Sequence, residues 1–294
     1  MRDGKSRYKM KPSVPLKSLD TLWLQVGGTL CNLQCTHCFV SCGPQNYNHE
    51  MMTLDQVEER LDEAASMNVK DYYITGGEVF MNPEIFQILE TILTRGPLNI
   101  LTNGTLLSWK NCDRLREIQS HSPNQMTFRV SMEHFEEEAN DLVRGRNSWR
   151  KALEGIGNLV LVGFEPILTV TRSWKEDDDA EMERCFRNLL QERDIPMPRI
   201  KLIPPFLIGR QAEKDRPYNE TEYVTEKCFE EYDIGNLQCA TCRMATATGV
   251  YVCPILVDEP EGRMGNTIKE TVRPFSLVHS ACYTCRVTGM TCKN

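Results

Sequence analysis

The sequence lacks the features of a membrane or secreted protein. No segment approaches the roughly 18 consecutive apolar residues that a membrane-spanning helix needs. The N-terminal residues 1–17 lack the apolar core of a signal peptide. Internal repeats and low-complexity tracts are also absent. We therefore expect a soluble, cytoplasmic protein without a membrane partner.

The sequence also lacks an excess of positive charge. Lys and Arg total 34 and Asp and Glu total 41, which gives a formal net charge of -7. Proteins that bind the phosphate backbone of nucleic acids usually carry a basic surface, so we expect no nucleic-acid partner. With 40% hydrophobic and 26% charged residues, the chain has enough apolar material for a packed core.

Cysteine, in contrast, is abundant and unevenly distributed. The chain has 13 cysteines, and an odd number without an export signal argues against a disulfide framework. Four lie between residues 31 and 42 and seven between residues 228 and 292. Only Cys112 and Cys185 lie between these groups, and we interpret both as small buried hydrophobic residues. The two groups themselves indicate metal binding.

Between residues 22 and 205, β-rich segments alternate with longer amphipathic segments, which is typical of repeated βα units around a parallel sheet. Six strand candidates begin at residues 21, 71, 98, 126, 166 and 199. The clearest predicted helix begins after the N-cap residue Thr53, and others are predicted over residues 83–94, 108–120, 148–162 and 177–192. Such units form either a doubly wound sheet or a partial barrel.

The pattern changes after Gly209. Residues 209–228 are polar, and we interpret them as a linker or lid. The cysteine-rich region beyond them has only short apolar segments, which predicts a small domain organised by metal rather than by a core of its own. The predicted organisation is an N-terminal extension (1–19), a βα domain (20–210), and a linker with a small metal-binding domain (211–294).

Cys31, Cys35 and Cys38 directly follow the first predicted strand with the spacing CxxxCxxC. Three thiolates on one tight loop can hold three corners of a [4Fe-4S] cube and leave the fourth iron open to a ligand. The alternative is a zinc loop whose fourth ligand is Cys42 or His37.

A second motif, Gly76-Gly77-Glu78, follows the second predicted strand. Paired glycines let a ligand approach the backbone closely, and a carboxylate can accept hydrogen bonds from an ammonium group. Both motifs lie at the carboxyl ends of predicted strands, which is the rim where βα folds build active sites. We therefore expect the two motifs to share one site.

The two motifs together resemble those of the radical S-adenosylmethionine (SAM) enzyme superfamily, whose signature is CxxxCxΦC, with His37 at Φ. The resemblance extends over about residues 20–210 and implies a partial (β/α)6 barrel of the TIM type. It also implies a [4Fe-4S] cluster on Cys31, Cys35 and Cys38, and reductive cleavage of SAM to methionine and a 5′-deoxyadenosyl radical. The SAM-binding residues that the resemblance implies are His37, Gly76, Gly77, Glu78, Asn103, Ser131, Glu133, Arg144 and Leu202.

The implied roles of these residues differ. Gly76, Gly77 and Glu78 match the motif that binds the SAM amino group. The resemblance places Ser131 and Glu133 near the ribose and Arg144 near the carboxylate of SAM. It places Leu202 or Ile203 against the adenine.

The C-terminal region resembles the SPASM and twitch extensions of the same superfamily, which hold auxiliary iron–sulfur clusters. Gly249 followed by Cys253, and the Cys282-x2-Cys285 pair, carry this likeness. Seven cysteines cannot complete two four-cysteine sites, so the resemblance implies one auxiliary [4Fe-4S] cluster. Its implied ligands are Cys242 or Cys239, with Cys253, Cys282 and Cys285. A zinc ribbon is the alternative.

The resemblance leaves two reactions open. An auxiliary cluster that accepts the substrate's remaining electron gives a two-electron oxidation, whereas hydrogen donation by a cysteine such as Cys228 or Cys292 gives an epimerisation. Relatives of this architecture act on peptides or on small alcohols and sugars, with an external one-electron donor such as flavodoxin or ferredoxin.

Because 30 residues precede Cys31, we expect a small-molecule substrate or a peptide presented by a separate protein. Lys201 and Arg210 are candidates for binding an anionic substrate. The non-enzymatic alternative is a metal-stabilised electron-transfer or binding protein.

Overall fold

The structure is a computed structural model that describes residues 11–195, 199–290 and 292. Its strands are β1 (Ser13–Val14), β2 (Thr21–Leu24), β3 (Asp71–Ile74), β4 (Leu98–Thr102), β5 (Met126–Ser131), β6 (Ile167–Thr171), β7 (Ile200–Ile203), β8 (Cys242–Ala245), β9 (Val250–Tyr251), β10 (Arg263–Gly265) and β11 (Phe275–Ser276). Its α-helices are α1 (Leu54–Glu63), α2 (Ile85–Leu93), α3 (Trp109–Ser120), α4 (Glu137–Arg144), α5 (Ser148–Leu161), α6 (Asp179–Gln191), α7 (Gly209–Lys214) and α8 (Ala281–Thr288).

Nine of these strands form one sheet in the order β10-β9-β8-β2-β3-β4-β5-β6-β7. Strands β8 and β2 to β7 are parallel, whereas β9 and β10 add an antiparallel edge. The six predicted strands are β2 to β7, and the predicted helices correspond to α1, α2, α3, α5 and α6. The expected α/β fold with a partial TIM-like barrel is therefore confirmed.

The alternation of side chains along the strands separates the core from the barrel interior. Leu22, Leu24 and Phe128 point outward and lie in the hydrophobic core beneath the helices. The residues between them, such as Trp23 and Arg129, point inward and line a cavity. The inner face of the sheet is therefore more polar than the outer face.

Local sequence signals explain where α1 begins. Thr53 Oγ1 accepts a hydrogen bond from Gln56 N (3.3 Å), and Gln56 Oε1 accepts one from Thr53 N (3.0 Å), which forms a capping box. Val57 and Leu61 are buried on one face. Helix α4, in contrast, lies outside the predicted helices, because this acidic segment of 8 residues is short. Within the described residues, no helix is long and apolar enough to cross a membrane.

The C-terminal region differs from the expected small domain without a core. Strand β8 pairs in parallel with β2, so this region extends the barrel sheet. Val224, Leu256 and Phe275 belong to a second hydrophobic cluster that also includes Phe206 from the end of the barrel. The prediction that metal replaces a core was wrong, because these apolar residues are scattered along the sequence and converge only in the folded chain. The boundary at residue 210 stays a prediction.

Arg243 on β8 is fully buried and organises this second region. Its guanidinium donates hydrogen bonds to the carbonyl oxygens of Thr271 (3.0 and 3.2 Å), Cys239 (2.8 Å), Cys242 (2.6 Å) and Arg273 (3.4 Å). Buried carbonyl groups need such donors, because they are cut off from water. The arginine therefore ties two cysteine-bearing segments to the loop before β11.

We expect Arg243→Met to lower the free energy of unfolding by about 3 kcal/mol or more, because several buried carbonyl groups lose their donor. Denaturant unfolding of the anaerobically purified protein measures this loss. Arg263→Met is the matched control, since Arg263 is exposed and the same change there should cost less than about 1 kcal/mol. Equal losses in the two variants would contradict the structural role of Arg243.

Candidate functional site

A cavity of about 230 Å³ lies inside the barrel, beside the carboxyl ends of the strands. Cys31, Cys35 and Cys38 line one side of it, and Gly76 and Gly77 lie in the same wall. Five more of the expected residues also line the cavity: Asn103, Ser131, His37, Glu133 and Arg144. The expectation that the cysteine motif and the glycine motif face one site therefore agrees with the geometry.

The three cysteines lie on a loop after β2, residues 29–43, which we call the cluster loop. Backbone hydrogen bonds close its base: Cys31 N donates to Gly43 O (3.1 Å), and Gly43 N donates to Thr29 O (3.1 Å). All three thiols are free. Asn103 Nδ2, at the end of β4, lies 3.7 Å from Cys31 Sγ and donates a hydrogen bond to Asn32 Oδ1 (2.9 Å).

The environment of these thiols is electrostatically uneven. Burial raises the pKa of Cys31 to about 12. A hydrogen bond from the Cys42 thiol lowers the pKa of Cys38 to about 6, and Arg210 acts in the same direction. Thiolates rather than thiols bind metal. A free three-thiol set on one tight loop fits three corners of an iron–sulfur cube.

Arg210, at the start of α7, fixes the cluster loop from outside. Its guanidinium donates hydrogen bonds to the carbonyl oxygens of Cys35 (2.8 Å), Ser41 (2.8 Å) and Cys42, and its backbone N donates to Cys38 O (3.1 Å). The expectation that Arg210 grips an anionic substrate was wrong, because backbone carbonyl groups occupy its donors. The segment expected to be a linker is here packed against the site.

The glycine pair allows the turn after β3 to pack directly on the cluster loop. A Cβ on Gly77 would lie 2.1 Å from Leu30 O and 2.9 Å from Cys31 Cβ. Gly76 has φ +145°, and a Cβ there would lie 2.5 Å from Gly27 Cα. Because Gly76 and Gly77 have no side chains, the two backbone segments can be in direct contact in the wall of the cavity.

Glu78 is buried beside this turn but does not line the cavity. Its carboxylate accepts hydrogen bonds from Thr102 Oγ1 (2.7 Å), Asn103 N (2.8 Å) and Phe80 N (3.1 Å). Burial raises its pKa, and these donors oppose that effect. The structure therefore uses Glu78 to join the ends of β3 and β4, whereas its expected contact with an ammonium group stays a prediction.

His37, Glu133 and Arg144 form a charged network in the wall of the cavity. Glu133 Oε1 lies 2.9 Å from His37 Nε2 and 2.7 Å from Arg144 Nη1. Burial alone would raise the pKa of Glu133, but His37 and Arg144 together lower it, so the carboxylate stays ionised. Arg144 is the last residue of the unpredicted helix α4, and its guanidinium forms this ion pair with Glu133.

Besides Glu78, two more expected site residues do not line the cavity. Leu202 packs against the outer core, and its neighbour Ile203 lines the cavity instead, because successive strand residues face opposite sides of the sheet. Cys228 lies near Thr225, whose N–H donates to its sulfur (3.4 Å), and is not among the cavity residues. The expectation that Cys228 donates hydrogen in the cavity was therefore wrong.

A second cysteine site lies within the second hydrophobic cluster. A small pocket there is lined by Cys239, Cys253, Cys282, Cys285 and Cys292. Cys242 is buried on β8 next to this group, with its sulfur 3.7 Å from Val252 O, and does not line the pocket. Cys292 also lines the barrel cavity, so it lies between the two sites.

No three His, Cys, Asp or Glu side chains among the described residues are grouped to hold a single metal ion. Arg129, which is not among the expected site residues, lines the cavity from the middle of β5. A charged residue within a predicted strand was the signal that could have identified it.

Comparison with known proteins agrees with this geometry. A family model described as the radical SAM superfamily matches residues 26–187, more than half of the chain. Among curated proteins, GTP 3′,8-cyclase of Mannheimia succiniciproducens is 25% identical over 207 residues, in an alignment that covers 65% of this chain and 59% of that protein. The subtilosin biosynthesis protein AlbA of Bacillus subtilis is 27% identical over 117 residues, covering 40% of this chain and 25% of AlbA.

Solved structures show the same fold at lower identity. Streptococcus suis SuiB bound to S-adenosylmethionine has a TM-score of 0.61 at 15% identity, covering 86% of this chain and 63% of SuiB. The native enzyme anSMEcpe with bound AdoMet has a TM-score of 0.61 at 16% identity, covering 85% of this chain and 79% of that chain. At these identities the likeness establishes the fold.

We expect Gly77→Ala to disturb the cluster loop, because its Cβ would overlap a backbone oxygen. The amount of iron bound after anaerobic reconstitution should fall by about half, from that of two clusters to that of one cluster, which holds about four irons. Gly157→Ala is the matched control: Gly157 lies in α5 with open space around it, so alanine should stabilise the helix by up to about 1 kcal/mol. Wild-type iron content in Gly77→Ala would contradict the packing argument.

Proposed function

This chain belongs to the radical SAM superfamily, and we propose that it is an enzyme that removes a hydrogen atom from a substrate held inside the barrel. The observation that carries the proposal is one cavity with three free thiols on one side and substrate-sized space beyond them, lined by Arg129, Thr169 and Met244. When bound, a [4Fe-4S] cluster supplies the electron that splits SAM into methionine and a 5′-deoxyadenosyl radical.

The residues of the chain bind, orient and shield the reactants. Cys31, Cys35 and Cys38 would hold the cluster, with one iron left open to SAM. Ser131 and Asn103, at the ends of β5 and β4, offer polar groups to SAM. Leu33, Val40, Leu101 and Val257 form apolar walls that shield the reactants from solvent.

The second cysteine pocket supports an auxiliary cluster. We assign its ligands to Cys239, Cys253, Cys282 and Cys285, with Cys239 preferred to Cys242 because Cys239 lines the pocket. When bound there, such a cluster supplies an electron acceptor close to the barrel. The substrate would lose a hydrogen atom first, and then one electron to this acceptor and one proton to solvent. The net reaction is a two-electron oxidation.

Cys292 supports the alternative reaction. It lines both the barrel cavity and the second pocket, which supports a role for its thiol as the donor that returns a hydrogen atom to a substrate radical. Such a return from the opposite face would invert the carbon centre and give an epimerisation. The thiyl radical left on Cys292 would then take one electron from the external donor and one proton from solvent to regenerate the thiol.

The substrate class is open between a peptide and a small molecule. SuiB has been crystallised with the precursor peptide SuiA, and AlbA is named for the biosynthesis of a bacteriocin, which support a peptide. The GTP 3′,8-cyclases support a small molecule. The chain spans 59% of the M. succiniciproducens cyclase and 25% of AlbA. An external one-electron donor such as flavodoxin or ferredoxin completes the proposed system.

We expect the reconstituted protein to bind about eight irons as two [4Fe-4S] clusters and to form 5′-deoxyadenosine from SAM under dithionite. Joint replacement of Cys31, Cys35 and Cys38 by alanine should abolish this cleavage and leave about four irons. Cys185→Ala, in α6, is the matched control and should keep both properties. Zinc in place of iron would refute the cluster assignment, and iron without SAM cleavage would favour an electron-transfer protein.

The ligand assignment in the second pocket gives a separate expectation. Joint replacement of Cys282 and Cys285 by alanine should leave about four irons and preserve SAM cleavage. Cys242→Ala and Cys292→Ala should each retain about eight irons, because neither is assigned as a ligand. Circular dichroism must first show that each variant is folded. Loss of iron in Cys242→Ala would transfer the assignment from Cys239 to Cys242.

A further inference from the structure

Arg129 is an unusual residue for the inside of a strand. It lies in the middle of β5, opposite Leu101 of β4 and Ile167 of β6, and only 3% of its surface is exposed. Its side chain lines the barrel cavity. Its Nε donates a hydrogen bond to Thr169 Oγ1 (3.2 Å), and its Nη1 donates one to the carbonyl oxygen of Cys292 (2.5 Å).

The charge of Arg129 has no acidic partner in the part of the chain that the structure describes. The acidic residue in the same cavity, Glu133, is already paired with His37 and Arg144. A buried cation without a counter-charge is costly unless something else compensates for it. Among the described residues, the strand therefore carries a buried charge that no carboxylate pairs with.

Lys201 adds a second cation on the same side of the barrel. It lies on β7 directly opposite Thr169, the residue that accepts the hydrogen bond from Arg129. Burial and the neighbouring charge of Arg129 lower the pKa of Lys201 to about 8. An anion between the two residues would remove this repulsion.

We propose that Arg129 and Lys201 form a binding site for an anionic group of the substrate, either a carboxylate or a phosphate. The inference rests on the proposed function, since it assigns the substrate a place in the same cavity. A guanidinium presents two parallel N–H donors to an oxyanion, and an ammonium adds a compact charge.

The position of the site gives it a role in orientation. Arg129 precedes Ser131 by two residues on the inner face of β5, so it lies about 7 Å deeper in the barrel than the strand end. A substrate anchored there by its anionic group would direct its other end toward the rim, where the cluster loop lies. Binding at Arg129 and Lys201 would therefore favour substrates with a particular distance between their anionic group and the reacting carbon.

The test measures anion binding to the reconstituted protein by calorimetry, with inorganic phosphate and succinate as the two probes. We expect saturable binding of one probe, which identifies a phosphate or a carboxylate as the group. Arg129→Met and Lys201→Met should each weaken that binding at least tenfold. Arg116→Met is the matched control, because Arg116 is exposed on α3 and should bind neither probe.

Three results would overturn the inference. One is the absence of saturable binding of either probe to the wild-type protein. Another is unchanged binding in Lys201→Met, a variant that removes a half-buried charge. The third is an equal loss of SAM affinity in Arg129→Met and Lys201→Met, which would assign both residues to the SAM site.

SAM cleavage in the same samples separates this inference from the proposed function. The control variant Arg116→Met should form 5′-deoxyadenosine under dithionite at close to the wild-type rate, because Arg116 is exposed on α3. A wild-type protein that binds the anion but never cleaves SAM would refute the proposed function and leave the anion site intact.

Discussion

Gly77 lies so close to the cluster loop that no other residue fits there. The Cβ of any larger residue would lie 2.1 Å from Leu30 O, and hydrogen bonds from Gly77 N to Gly28 O (2.9 Å) and from Glu78 N to Leu30 O (3.1 Å) hold the two segments together. This contact sets the distance between the end of β2, which leads to the cysteines, and the end of β3. The position of the thiols in the cavity wall depends on it, as does the space that remains for SAM.

The same loop is held from its other side by parts of the chain that are distant in sequence. Arg210 binds three of its carbonyl oxygens from α7, and Thr36 N donates to Val143 O (2.8 Å) in α4. The loop therefore gains its shape from the barrel, from a short helix after β5 and from the segment that leads to the C-terminal region. A rigid scaffold of this kind suits chemistry in which a reactive radical must meet one chosen bond.

The C-terminal region contributes to the interior of the barrel as well as to its own cysteine pocket. Strand β8 pairs with β2, and Met244 on that strand lines the cavity. Cys292 reaches the cavity from the end of the described chain and accepts a hydrogen bond from Arg129. The two cysteine sites are therefore connected through shared walls.

The sequence alone determined the α/β class, the order of βα units and the pairing of two motifs at one rim, because these depend on local spacing and on strand periodicity. It also grouped Cys31, Cys35 and Cys38 on one loop, because their spacing is itself the signal. The tertiary structure decided which side of the sheet each side chain lies on and which distant segments it contacts. Leu202 faces outward, whereas Ile203 faces the cavity. Glu78 accepts a hydrogen bond from the backbone of Asn103, and Arg210 donates hydrogen bonds to carbonyl oxygens of the cluster loop. The spacing of residues in the sequence does not predict these contacts, because the partner of a side chain depends on which distant segment packs against it.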